Sequence, residues 1–177
     1  MSLLSPRPAA DECSPYYFTY IRLVPDGDIV RILQAQHADI RALLKNTSDA
    51  QASAHPAPGE WSIKQVIAHL SDAERLFSFR ALWFARGEQS ALPGMEPNPW
   101  VEITDANART LADLLAEFDR VRAASISLFA NLDTAAWERR GIASGNVISV
   151  RALAWIIAGH ELHHTRSLRE DYLGKLR

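Results

Sequence analysis

One cysteine, Cys13, is the only thiol-bearing residue in the sequence, so no intrachain disulfide framework can form and the chain must be held together by burial. It sits in a Pro-rich segment expected to be mobile, outside the organised, electropositive setting that reactive thiols need. Excess charge of either sign is also missing. A net charge of −2 and a pI near 6.3 provide no broad basic field for phosphate backbones, so a nucleic-acid partner is not expected. No stretch approaches the roughly 20 apolar residues that span a bilayer. The opening residues MSLLSPRPAADECSP have neither a basic start nor a continuous apolar run, and no membrane is expected. One reduced cysteine fits the same cytoplasmic expectation. Internal repeats and low-complexity tracts are absent as well.

What is present is a chain of 177 residues, 47% hydrophobic and 23% charged, long enough for one domain with a real core. Tyr16, Tyr17, Phe18, Tyr20, Ile21, Leu23 and Val24 form a β-favouring, partly alternating run. With no second convincing strand to pair with, residues 1–27 are expected to be an extended arm over a bundle formed by residues 28–177. From Asp28, a plausible N-cap, Ile29, Ile32, Leu33, Ile40, Leu43 and Leu44 mark one face of a first helix. Residues 46–59, with Pro56 and Pro58, read as a loop. Ser62 and Gln65 then make a capping box before a second helix that ends near Gly87. Pro93, Gly94, Pro97 and Pro99 predict a long connection over 88–107 with no regular helix.

Thr110 caps a third helix carrying Leu111, Leu114, Leu115, Phe118, Val121 and Leu128, and Asp133 begins a short turn through Trp137. Gly141, Gly145 and Asn146 punctuate the chain. Ser149 caps a last helix from Val150 to about Tyr172, which makes the expected fold an all-α four-helix bundle.

Three of the six histidines, His160, His163 and His164, fall within five residues on that last helix. At about 100° per residue, His160 and His164 lie near the middle of the stripe set by Leu153, Ile156, Ile157 and Leu168, while His163 is roughly 90° away. Two imidazoles one turn apart can reach a shared ion, and a stable site needs a third ligand from another inward face. His69, flanking the stripe of Val66, Leu70, Ala73 and Phe77, offers it. The plainer reading of each histidine is a hydrogen-bonded core residue. His37 reads as a solvated or half-buried helix residue and His55, before Pro56, as surface.

The string His160-Glu161-Leu162-His163-His164 also satisfies H-E-x-x-H, in which a glutamate serves as general base beside zinc. The longer form needs a downstream glycine and histidine, where Ser167 and Glu170 stand, so a protease is the weaker reading. Glu161 lies about 70° from the stripe centre, which leaves a salt-bridged and a general-base role both open. Asp72 is a candidate for orienting an imidazole.

Trp61-Ser62-Ile63-Lys64-Gln65-Val66-Ile67-Ala68-His69-Leu70-Ser71-Asp72-Ala73-Glu74 and Gly159-His160-Glu161-Leu162-His163-His164 resemble the two signatures of the DinB superfamily, the DinB/YfiT-like metal-binding bundles. The resemblance implies a four-helix bundle, commonly a homodimer, with nickel or zinc held by residues that fall here on His69, His160 and His164. It further implies chemistry with a low-molecular-weight thiol of the mycothiol, bacillithiol or glutathione type, directed at a small electrophile. The expected activity is a metal-dependent thiol S-transferase. A hydrolase at the same ion and a non-enzymatic metal-binding stress protein are the alternatives. The arm and the segment Leu92–Trp100 are departures that bear on the pocket entrance.

Overall fold

The computed structural model describes residues 6–36 and 38–174. Its frame is four helical elements: α1 (Ile29–Gln36), α2 (Ile63–Ala85), α3 (Leu111–Ala130) and α4 (Val150–Ser167). A further helix, Asp39–Leu44, follows α1, and the expected role of His37 falls outside the described residues. α2 is central, packed along both α3 and α4.

Each long helix starts where a side chain can satisfy its first free N–H groups. The Ser62 hydroxyl accepts from the Gln65 amide at 3.2 Å while the Gln65 side chain accepts from the Ser62 amide at 2.9 Å. Thr110 accepts from the Asp113 amide at 3.1 Å, and Ser149 from the Ala152 amide at 2.9 Å. Gly87, at φ +87°, takes the left-handed conformation just past α2 that a side chain would resist. α4 continues into a π-helical turn at Leu168–Tyr172.

Two apolar clusters share these helices. One gathers Cys13, Ile21, Leu33, Phe84, Phe129, Trp155 and Ile156; the other gathers Ile40, Ile63, Leu70, Leu114, Phe118 and Leu168. On α2, α3 and α4 alike, the change from one cluster to the other occurs where His69 and Glu74, Arg122, and His160 and Glu161 stand. A polar layer therefore crosses the bundle between two dry regions. Every residue from Ala152 to Glu161 is buried, so this part of α4 is covered all round and is apolar or small on nearly every face.

Five expectations change. The segment before α1 is not extended: Pro15–Tyr17 is a 3₁₀ turn and Phe18–Ile21 a helical turn. Its apparent alternation masks a helical spacing, Tyr17, Ile21 and Val24, that packs inward onto the bundle. The Tyr20 carbonyl comes so close to α4 that a Cβ on Gly159 would lie 2.3 Å from it. Cys13 is buried in the same cluster and is not mobile; burial, with Glu12 beside it, pushes its thiol up to about 11, which keeps it inert.

Residues 46–59 contain the helix Asp49–Ser53, started by a Ser48–Gln51 capping box. The 88–107 connection contains the helix Pro97–Ile103, where Pro97 occupies a first-turn position whose N–H needs no partner. Finally, β1 (Arg140–Ala143) and β2 (Asn146–Ser149) form an antiparallel hairpin in which Arg140 pairs with Ser149 and Ala143 with Asn146. Ser144 (φ 53°) and Gly145 (φ 74°) make its two-residue turn, both left-handed as that tight turn demands.

Candidate metal centre

α2 and α4 bring three imidazoles to one point. The Nε2 atom of His160 lies 3.2 Å from Nε2 of His69 and 3.1 Å from Nε2 of His164, and the three nitrogens all fall within 4.8 Å of one another. His69 and His160 are buried and His164 half-buried. One ring nitrogen carries either one hydrogen or one lone pair, so His160 Nε2 cannot satisfy both neighbours through good hydrogen bonds. An ion about 2.1 Å from each nitrogen in tetrahedral geometry would separate them by about 3.4 Å, close to the 3.2 Å and 3.1 Å separations about His160. The donor set fits a divalent ion.

Burial makes the rings ready ligands. Desolvation lowers the pKa of His69 to about 4 and that of His164 to about 3; His160 falls well below the ordinary histidine value through desolvation and the neighbouring His164, His69 and His163. All three are neutral near pH 7 and offer lone pairs. Among the described residues lining the surrounding cleft, about 220 Å³ in volume, there is no carboxylate. Three neutral ligands leave a bound ion its full double charge and at least one open position.

The walls are aromatic. The Trp61 ring is 4.9 Å from His69 and stacks on His164 at 6.4 Å; the Tyr20 ring meets His160 edge-on at 5.3 Å, and Phe77 does so at 6.1 Å. Tyr20 arrives from the N-terminal segment, which is thus part of the site.

Residues 32–168 match the DinB superfamily. The chain belongs to that superfamily. A candidate metal-dependent hydrolase of Geobacillus thermodenitrificans is 22% identical over 131 residues, 73% of this chain and 74% of that protein. Its counterpart in Geobacillus kaustophilus is 23% identical over 130 residues, 72% and 73% of the two chains. Among solved structures, YfiT from Bacillus subtilis, described as a candidate metal-dependent hydrolase with an unusual four-helix bundle topology, superposes with a TM-score of 0.72. It is 18% identical, over 80% of this chain and 82% of its own. A mycothiol-dependent maleylpyruvate isomerase gives 0.66 at 12% identity, over 82% of this chain and 59% of that one. These structural likenesses establish a shared fold.

In this DinB-superfamily chain the remaining sequence candidates are not part of the three-nitrogen cluster, although His163 lines the same cleft. His163 is exposed on α4 against the Tyr20 ring, and His55 is exposed with its Nδ1 2.6 Å from the Glu60 carbonyl. Asp72 bonds Arg75 at 3.3 Å on the surface of α2 and is not seen orienting an imidazole. Glu161 does not line the cleft: Arg122 donates to its carboxylate at 2.6 Å. The H-E-x-x-H reading, which needs that carboxylate at the ion, therefore fails. Burial nevertheless pushes Glu161 up to about 7, against the pull of Arg122.

Arg122 is the residue that sequence reasoning missed. Fully buried, it donates through Nε and Nη2 to both Glu74 oxygens at 2.8 Å, and through Nη1 to Glu161 and to the Leu33 carbonyl at 3.3 Å. One guanidinium thus ties α1, α2, α3 and α4 together beside the histidines. An arginine in phase with Phe118 and Ser125 on an inward face was the available signal. Arg80, three positions beyond Phe77, was another.

Proposed function

We propose that His69, His160 and His164 hold a divalent ion, nickel or zinc, and that the chain uses it in S-transfer from a low-molecular-weight thiol to a small electrophile. The observation that carries this reading is the all-neutral, carboxylate-free donor set at the floor of an aromatic cleft. The ion's contribution is to stabilise a thiolate at neutral pH. Everything else falls to the protein. Trp61 and Phe77 keep the floor dry and hold the imidazoles in place, while Tyr20 closes one side from the segment preceding α1. That segment, up to residue 27, acts as a wall for a bundle domain spanning 28–177. The mycothiol-dependent isomerase among the structural neighbours supports the thiol, and a thiol co-substrate fits a cytoplasmic setting.

A hydrolase in which water takes the thiol's place is the second reading, favoured by the names of the Geobacillus relatives. Metal-loaded, untagged protein incubated with monochlorobimane and a panel of bacterial thiols separates the two. Protein-dependent conjugation is expected; ester or amide turnover without conjugation of any thiol supports the hydrolase instead. We further propose a homodimer, since Phe79 and Leu82 are exposed at 48% and 40% beside Leu128 on one α2–α3 face. Sedimentation velocity is expected to show twice the chain mass.

A further inference from the structure

Among the described residues six charged side chains are buried, and five of them face an opposite charge. Glu12 meets Arg151, Lys64 meets Asp49, and Glu74 and Glu161 share Arg122. Arg80, only 2% exposed, is the exception. Among the described residues its partners are neutral: Nη2 donates to the Pro93 carbonyl at 2.7 Å and to the Ser144 hydroxyl at 3.3 Å, and Nε has none. The guanidinium otherwise rests over the Phe77 ring at 5.8 Å. A buried cation without an anion is costly, and such charges are normally paired or serve a ligand.

Its position tells which ligand. Arg80 lines the same cleft as the three histidines. It follows His69 by eleven residues on α2, about three turns, so both side chains leave the same face of the helix. Phe77 stands between them, 5.8 Å from the guanidinium carbon and 6.1 Å from the His160 ring, which places Arg80 no more than about 12 Å from that ring. The Tyr17 hydroxyl is near enough for the cation to oppose the rise that burial imposes on it.

We infer that Arg80 is the anion-recognising end of the cleft and that the molecule processed there carries a carboxylate. A guanidinium matches a carboxylate through two parallel N–H bonds, and a span of no more than about 12 Å to the His160 ring restricts the ligand to a short acid whose carboxylate lies only a few bonds from its reacting atom. Phe77 supports the carbon chain between the two ends. The inference deepens the proposed function by naming a feature of its substrate, yet the binding it invokes is made by Arg80 and not by the ion.

The test exploits that independence. Chelator-treated, untagged protein is titrated with butyrate and with its neutral isostere butyramide, followed by tryptophan fluorescence and amide NMR shifts. Butyrate is expected to bind about tenfold or more tightly than butyramide, the preference being abolished in Arg80→Gln and partly retained in Arg80→Lys. Metal content of Arg80→Gln should equal wild type. Equal affinity for acid and amide in wild type, or a preference that survives Arg80→Gln, overturns the inference. The wild-type comparison decides even where a variant fails to fold. Loss of the metal claim would leave the butyrate result standing, so the two failures are distinguishable. In the conjugation assay, 3-mercaptopropionate against 2-mercaptoethanol, and chloroacetate against chloroacetamide, then show whether thiol or electrophile carries the acid.

Discussion

Arg122→Met should unlock the bundle at its polar layer. Methionine replaces much of the stem but none of the donors, leaving Glu74 and Glu161 buried without the cation that bonds them at 2.8 Å, 2.8 Å and 2.6 Å. Removing one partner from a buried ionic cluster costs about 3–5 kcal/mol. For a chain of this length each kcal/mol lowers the melting temperature by about 2–4 °C, so a fall of roughly 6–20 °C is expected by calorimetry. Glu161→Gln should cost far less, about 1 kcal/mol, because Arg122 keeps Glu74 and the amide oxygen still accepts. Replacing all three groups together, Arg122→Met with Glu74→Leu and Glu161→Leu, should regain most of the loss, since an apolar trio removes the orphaned charges. Because the layer sets α4 against α2, folded Arg122→Met is also expected to bind metal 10–100-fold more weakly. A melting temperature within about 2 °C of wild type, with unchanged metal affinity, refutes the reasoning.

Two further perturbations act through the N-terminal segment. Gly159→Ala, which in an open helix gains about 0.5–1 kcal/mol, should here cost about 1–3 kcal/mol, because the new methyl meets the Tyr20 carbonyl at 2.3 Å and must lift the segment. Limited proteolysis before α1 should accelerate; a higher melting temperature with unchanged cutting contradicts this. Glu12, fixed by Arg151 at 2.6 Å and Ser149 at 2.7 Å, is raised by burial but lowered more by Arg151, the Ala9 amide and Ser149, so its folded pKa lies below the ordinary glutamate value. Its contribution is therefore present above that ordinary value and lost as pH falls through the folded one. Glu12→Gln should cost about 2 kcal/mol in urea unfolding at pH 7 and much less near pH 3, and a gap independent of pH counts against it.

The helices and the histidine phase were legible because both depend on short-range rules. The Ser62–Gln65 box, the Thr110 and Ser149 caps and the four-residue step from His160 to His164 are local patterns that burial then reinforces. The hairpin was not: four residues on each side are too few for alternation to show, and only the Ser144-Gly145-Asn146 turn pointed to it. Prolines at 97 and 99 hid a helix because breakers in an interior are allowed in a first turn. Glu161 illustrates the deeper limit. Its angle on α4 decided nothing, and its role was set by Arg122, 39 residues away on another helix.

Elemental analysis of untagged protein tests the metal centre most directly, comparing wild type with His69→Ala, His160→Ala, His164→Ala and a His163→Ala control. Wild type and the control are expected to carry about one nickel or zinc per chain and the other three variants about a tenth of that or less. Equal metal content in all five proteins would contradict the assignment.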